Sequence, residues 1–169
     1  MQNKYLLKPV LKTAKRSFYL EDEGGNVVYE GTMLKFKLFG AAPYEFFNHR
    51  SGLKEEHNIG KTITVSQGDG LISFLSKRSY FKFDGVKIWD YLHEKGVRID
   101  SNISSNKIGM SYKISLNGSE IATVATSSPS GKSLITTNLF YDVICDEKDL
   151  DLVFLVAMSI ALTEQTFYN

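Results

Sequence analysis

The chain of 169 residues contains one cysteine and three prolines, and its charge is nearly balanced, with 20 Lys and Arg against 19 Asp and Glu for a net +1. Each scarcity excludes something. A single thiol, Cys145, cannot close an internal disulfide, so the chain is expected in a reducing, cytoplasmic setting. Few prolines and no biased tract exclude a low-complexity chain. A charge near zero gives no global argument for nucleic acid, and none is expected as a partner. Long apolar runs are also missing. Tyr5-Leu6-Leu7 is stopped at once by Lys8 and Pro9, which leaves no signal-peptide core. The most apolar segment, Leu150 to Leu162, offers about a dozen apolar residues where a bilayer crossing takes roughly 18–20, so no transmembrane segment is expected.

What is present is core material: 43% hydrophobic residues, including 11 Phe and 9 Tyr, in a chain whose length suits one domain, 1–169. From Leu152 to Leu162 only Ser159 interrupts the apolar character. Leu, Ala and Met favour a helix here, and Asp149 and Asp151 stand where first-turn acids face the positive end of its dipole. The spacing predicts a helix over 149–165 that is apolar all round, and such a helix must be buried all round.

The remainder reads as short strands. Met110, Tyr112, Ile114 and Leu116 alternate with polar residues up to Asn117-Gly118, after which Ile121–Val124 resumes; Asn-Gly between alternating segments signals a type I′ hairpin. Phe18–Leu20 and Val27–Tyr29 flank Glu23-Gly24-Gly25-Asn26 in the same manner. Leu34, Phe36 and Leu38 alternate with Lys35 and Lys37, which predicts a strand with the lysines outward. Further strands are expected at Lys4–Lys8, Tyr44–Asn48, Lys61–Ser66, Leu71–Leu75, Tyr80–Phe83, Val97–Ile99, Leu134–Phe140 and Tyr141–Cys145, making about a dozen. Residues 86–95 carry Ile88, Tyr91 and Leu92 at helical spacing, with Asp84 as a cap and Gly96 as a stop, which predicts one short additional helix. The expected fold is mainly β: a closed antiparallel barrel of about 12 strands wrapped around a central hydrophobic C-terminal helix, closure removing the sheet edges.

That combination resembles the tubby C-terminal-like fold, shared by tubby proteins, LURP-one-related proteins and phospholipid scramblases, and within it the small bacterial members. The residues that carry the resemblance are the hairpin running from Phe18 to Gly31, the hairpin Asn117-Gly118-Ser119-Glu120-Ile121-Ala122, and the closing stretch from Asp149 to Leu162. The resemblance implies the barrel with its central helix, and a binding role toward phosphorylated headgroups. The chain lacks a proline-rich N-terminal tail, a cysteine cluster for palmitoylation and an acidic loop with EF-hand alternation, so calcium-driven scrambling is not expected.

Residue types that carry chemistry are present without the spacing that chemistry needs. His49, His57 and His93 show no metal-ligand spacing and read as solvated. Ser127-Ser128-Pro129-Ser130-Gly131-Lys132-Ser133 imitates the end of a phosphate-binding loop, but Thr126 stands where the first glycine belongs and a strand-like segment follows instead of a helix. Cys145 lies beside an acidic turn that would not lower its pKa. Glu21-Asp22-Glu23 and Glu55-Glu56 read as turn acids. No enzyme, cofactor or metal is expected.

Charge distribution is the informative feature. Residues 1–20 hold five bases, Lys4, Lys8, Lys12, Lys15 and Arg16, and no acid, whereas residues 142–169 hold six acids against Lys148. Lys35, Lys37, Lys77, Arg78 and Lys82 extend the basic set if the fold gathers them. The expected function is a non-enzymatic binding module that recognises anionic phospholipid or phosphorylated headgroups through a basic outer barrel face, peripheral at the inner membrane face. The competing expectation is a protein-interaction domain whose partner docks near Phe46, Phe47 or Trp89–Tyr91.

Overall fold

Turn chemistry sets the frame of the fold. Asn117 and Gly118 take φ of 50° and 86°, the left-handed pair a type I′ turn demands, and they join β9 (Met110–Leu116) to β10 (Ser119–Thr126). At the other glycine turn the Asp22 carboxylate accepts from the backbone N–H of Gly24 and Asn26, both at 2.9 Å, and β2 (Lys15–Glu21) passes to β3 (Val27–Met33). In this computed structural model the described residues are 2–12, 14–64, 78–103, 110–127 and 140–168.

The remaining elements are β1 (Gln2–Lys12), β4 (Ala42–Asn48), β5 (Lys54–Thr64), β6 (Arg78–Phe83), β7 (Val86–Lys87), α1 (Ile88–Glu94), β8 (Val97–Ile103), β11 (Tyr141–Asp146), a 3-10 turn at Glu147–Asp149, and α2 (Leu150–Tyr168). All strands pair antiparallel in one sheet of order β7-β6-β5-β4-β3-β2-β1-β11-β10-β9-β8. The two meanders meet where β1 pairs β11, from Gln2 opposite Asp146 to Leu7 opposite Tyr141.

The expected closure does not occur. Among the described residues the sheet ends at β7 on one side and β8 on the other, with no ladder between them. β7 is two residues long and runs straight into α1, which packs against β6, β7 and β8 and so occupies the seam where a closing ladder would lie. Eleven strands are present among the described residues. The expected strands at Leu71–Leu75 and 134–139 lie outside the described residues. The segment Leu34–Leu38, expected as a strand, belongs to an exposed loop over residues 34–41: β3 stops at Met33, the Leu34 N–H bonds the Pro43 carbonyl at 2.8 Å, and Gly40 turns with φ +82°. β5 begins at Lys54 rather than Lys61, so Glu55, Glu56 and His57 belong to a strand and not to a turn. Asp84 does not cap α1; its two oxygens take the Asn58 N–H and the His57 Nδ1, each at 2.7 Å.

The helix is buried as its composition requires. Seven successive residues, Val156 to Leu162, are buried, and nearly two turns of helix leave no direction exposed. Ser159, the polar interruption, returns its hydroxyl to the Leu155 carbonyl at 2.6 Å. Strands from several parts of the sheet surround α2. It packs on β1, β6 and β11, and Phe154 stacks on Tyr29 of β3 at 4.2 Å and meets Phe46 of β4 edge-on at 6.0 Å. The inward rows are Tyr5 and Leu7, Phe18 and Leu20, Tyr44 and Phe46, Ala122 and Val124, and Tyr141, Val143 and Cys145, each at period two.

Candidate functional site

Antiparallel alternation sorts the connections into two ends. At the end where α2 begins lie the β2–β3, β4–β5, β6–β7 and β9–β10 turns and the 3-10 turn; at the end toward which α2 runs lie the β1–β2 turn, the β3–β4 loop and the start of β6. Charge divides the same way.

At the far end the β1–β2 turn and the β3–β4 loop are basic. Lys12 and Lys15 face each other across the last pair of the β1–β2 ladder. The Lys15 ammonium donates to the Leu34 carbonyl at 3.4 Å, which ties that turn to the base of the loop carrying Lys35 and Lys37. Arg16, half-buried, faces inward above Tyr44; burial pushes that phenol up to about 12, with the Arg16 charge pulling the other way. Among the described residues none of Lys15, Arg16, Lys35 and Lys37 forms an ion pair, and the β1–β2 turn and β3–β4 loop contain no acid. The same loop exposes apolar side chains, increasingly toward its tip: Leu34 41%, Phe36 46%, Leu38 76% and Phe39 85%.

The other basic residues expected to join this patch separate. Lys4 sits near the opposite end, in an open groove of about 730 Å³ lined also by Asp22, Glu23, Arg50 and Glu147. Lys8 is neutralised at 2.8 Å by Glu21 on the neighbouring strand. Lys82 lies within β6, opposite Gly60 and Lys87. Arg78 opens β6 at the basic end, and Lys77 lies outside the described residues.

The helix-entry end is acidic. Asp22, Glu23, Asp84, Glu147 and Asp149 lie in its turns against Arg50 and Lys148. The backbone N–H of Asn26 leads the contacts that hold the Asp22 carboxyl below the usual range. Beside it a pocket of about 190 Å³ is walled by Tyr29, Phe46, Phe83, Tyr91 and Phe154. Its polar groups are matched to one another. His57 sits between Asp84 at 2.7 Å and Glu55 at 3.2 Å, Asp151 accepts from Asn48 at 2.9 Å and from the Tyr29 hydroxyl, and the Lys95 ammonium lies 4.8 Å over the Tyr91 ring. Burial, followed by the Asp151 charge, raises the Tyr29 pKa. His57 was expected to be solvated; instead it packs against Phe83 at 4.5 Å.

Of the aromatic docking residues expected at the surface, Phe46 is buried in the core. Phe47 lies on the outer face under Lys54, and Trp89 is 37% exposed on α1. Cys145 is fully buried and its thiol is pushed up to about 12, by burial first and then by Asp149 and Asp146. Among the described residues no group of three His, Cys, Asp or Glu converges as a metal site, and no helix is long and apolar enough to cross a membrane.

The exposed apolar tip was not visible to sequence reasoning, which placed Leu34, Phe36 and Leu38 inward. The available signal was the break in alternation at Leu38-Phe39, followed by Gly40 and Pro43. Compared with protein-family models, with curated proteins and with solved structures, the chain matches none.

Proposed function

We propose that this protein is a non-enzymatic cytoplasmic module of the tubby C-terminal-like kind that binds anionic phospholipid headgroups at the inner membrane face, through one end of its sheet rather than through an outer strand face. The observation that carries the reading is the gathering of Lys15, Arg16, Lys35 and Lys37 at one end with no ion-pair partner among the described residues, while Lys8 and Lys54 on strand faces meet carboxylates. Unpaired, co-located bases have a field to offer an anionic surface; paired ones have little left. The family resemblance rests on the enclosed α2 and the two glycine-turn hairpins. A non-catalytic role is supported by the self-pairing of His57, Asp151 and Lys95 in the aromatic pocket.

Basic groups near an anionic leaflet contribute about 1 kcal/mol each, so the three exposed lysines give roughly 3 kcal/mol, an affinity in the millimolar range. Co-sedimentation with phosphatidylserine-containing vesicles across a salt series tests the reading. Binding is expected at low salt, weakening as salt rises, and absent from neutral phosphatidylcholine vesicles. The triple variant Lys15→Glu, Lys35→Glu, Lys37→Glu should abolish it, and Lys4→Glu should leave it nearly intact. Undiminished binding by the triple variant would overturn the proposal.

A second reading is favoured by exposed Trp89 and Val86 beside the seam, where β8 has a ladder partner on one side only among the described residues. A protein partner would dock there. Loss of that partner on Trp89→Ala, with vesicle binding absent, would support this reading.

A further inference from the structure

We infer that the β3–β4 loop, residues 34–41, is a membrane-insertion tip: Leu38 and Phe39 enter an anionic bilayer to interfacial depth while Lys35 and Lys37 stay at the phosphates. The inference rests on the headgroup-binding reading above and names its target as a bilayer surface rather than a soluble phosphorylated ligand.

The loop is built to project. Its base is closed by the Leu34 N–H on the Pro43 carbonyl at 2.8 Å and braced by the Lys15 ammonium on the Leu34 carbonyl at 3.4 Å. Gly40, at φ +82°, supplies a turn beyond the apolar pair. Exposure rises from 41% at Leu34 to 85% at Phe39, so the least covered side chains sit farthest from the base. In water such a tip is unfavourable, with Leu38 76% and Phe39 85% exposed. Lys35 and Lys37 lie between base and tip, and a lysine stem passes along apolar surface while its ammonium remains at the headgroups. An irregular loop cannot carry its backbone into the hydrocarbon, which limits insertion to the headgroup and upper-chain region, roughly 5–10 Å.

Charge decides the occupant. The bases are not confined to the loop; they extend to Lys12 and Lys15 at the β1–β2 turn and to Arg16, a field spread over one end of the molecule. A second copy would bring like charges together, whereas an anionic bilayer is complementary to the whole field and also receives the apolar tip.

The chain has a single tryptophan, so Trp89→Phe combined with Phe39→Trp places one fluorophore at the tip. With phosphatidylserine-containing vesicles its emission is expected to shift to the blue and to be quenched by brominated acyl chains, with neither change in phosphatidylcholine vesicles. Leu38→Asp and Phe39→Asp, at exposed positions the core does not use, should each weaken vesicle binding about tenfold or more and leave a residue that salt removes. If wild type sediments with the anionic vesicles but the reporter does not shift and the Asp variants bind as tightly, insertion is overturned and the electrostatic reading stands. If wild type does not sediment at all, both fall. Full competition by soluble glycerophosphoserine would likewise overturn the bilayer as target.

Discussion

Gly31 occupies an inward position of β3 where a side chain would be expected, and the space is taken from outside the strand. A Cβ built there would lie 3.0 Å from the Phe46 ring and 3.3 Å from Phe154, the residue through which α2 meets β3 and β4. The backbone is ordinary, so the constraint is one of space. Gly31→Ala should therefore destabilise the fold by about 1–3 kcal/mol, as overpacking does. Urea denaturation reads this directly, and an unchanged midpoint would show that the two rings yield without strain. At this scale the sequence was legible where a residue answers to its near neighbours. Asn117 and Gly118 accept the left-handed backbone that a two-residue hairpin turn demands, and the Asp22 carboxylate closes its own turn. It was illegible at Gly31 and at His57, because Phe154 and Asp84, which settle their environments, lie far along the chain.

Among elements, α2 was the most legible, since an unbroken apolar surface leaves a helix no alternative to burial. Val156 is fully buried within it. Val156→Asp places an unpaired charge there and should abolish cooperative folding. Val156→Ala, which removes only methyl groups, should leave a folded protein weaker by about 1–3 kcal/mol. Circular dichroism melts of both variants check this, and a cooperatively folded Asp variant would mean that α2 is not central. The β3–β4 loop is the opposite case. Alternation at Leu34, Phe36 and Leu38 is a statement about one segment, whereas a strand needs a ladder partner. β3 and β4 are satisfied by each other up to Met33 and Tyr44, and β2 and β5 occupy their outer edges, so no free edge remains for residues 34–41. The same pattern that would have been half-buried in a sheet is left projecting with its apolar residues bare.

For the whole molecule, burial of weak acids sets a pH limit. Cys145 is pushed from 9.0 up to about 12 and Tyr44 from 10.0 up to about 12, and Tyr29 and Tyr5 move in the same direction, each chiefly through burial. The folded chain thus keeps protons that the unfolded chain releases. Their contribution to stability is complete below the unfolded values of 9.0 and 10.0 and is lost as pH rises through the folded ones. Thermal melts should hold their midpoint up to about pH 9 and fall steadily toward 12. At about 1.4 kcal/mol per tenfold change in acidity, Tyr44 accounts for on the order of 3 kcal/mol of that loss, and Tyr44→Phe should flatten the slope. A midpoint that stays level toward pH 12 would show that these groups ionise without unfolding the chain.

The sequence alone determined the antiparallel strands joined by local turns, the buried helix and the separation of a basic N-terminal segment from an acidic C-terminal one, because each follows from propensity, period or composition within a few residues. Tertiary structure decided the rest. Among the described residues it left the sheet open with α1 in the seam, because a two-residue β7 cannot reach across to β8. It divided the basic residues, sending Lys4 to the acidic end and pairing Lys8 with Glu21, while Lys15 reached the base of the loop that carries Lys35 and Lys37. Which charges become neighbours depends on strand register and direction, and register is set by pairing partners distant in the chain.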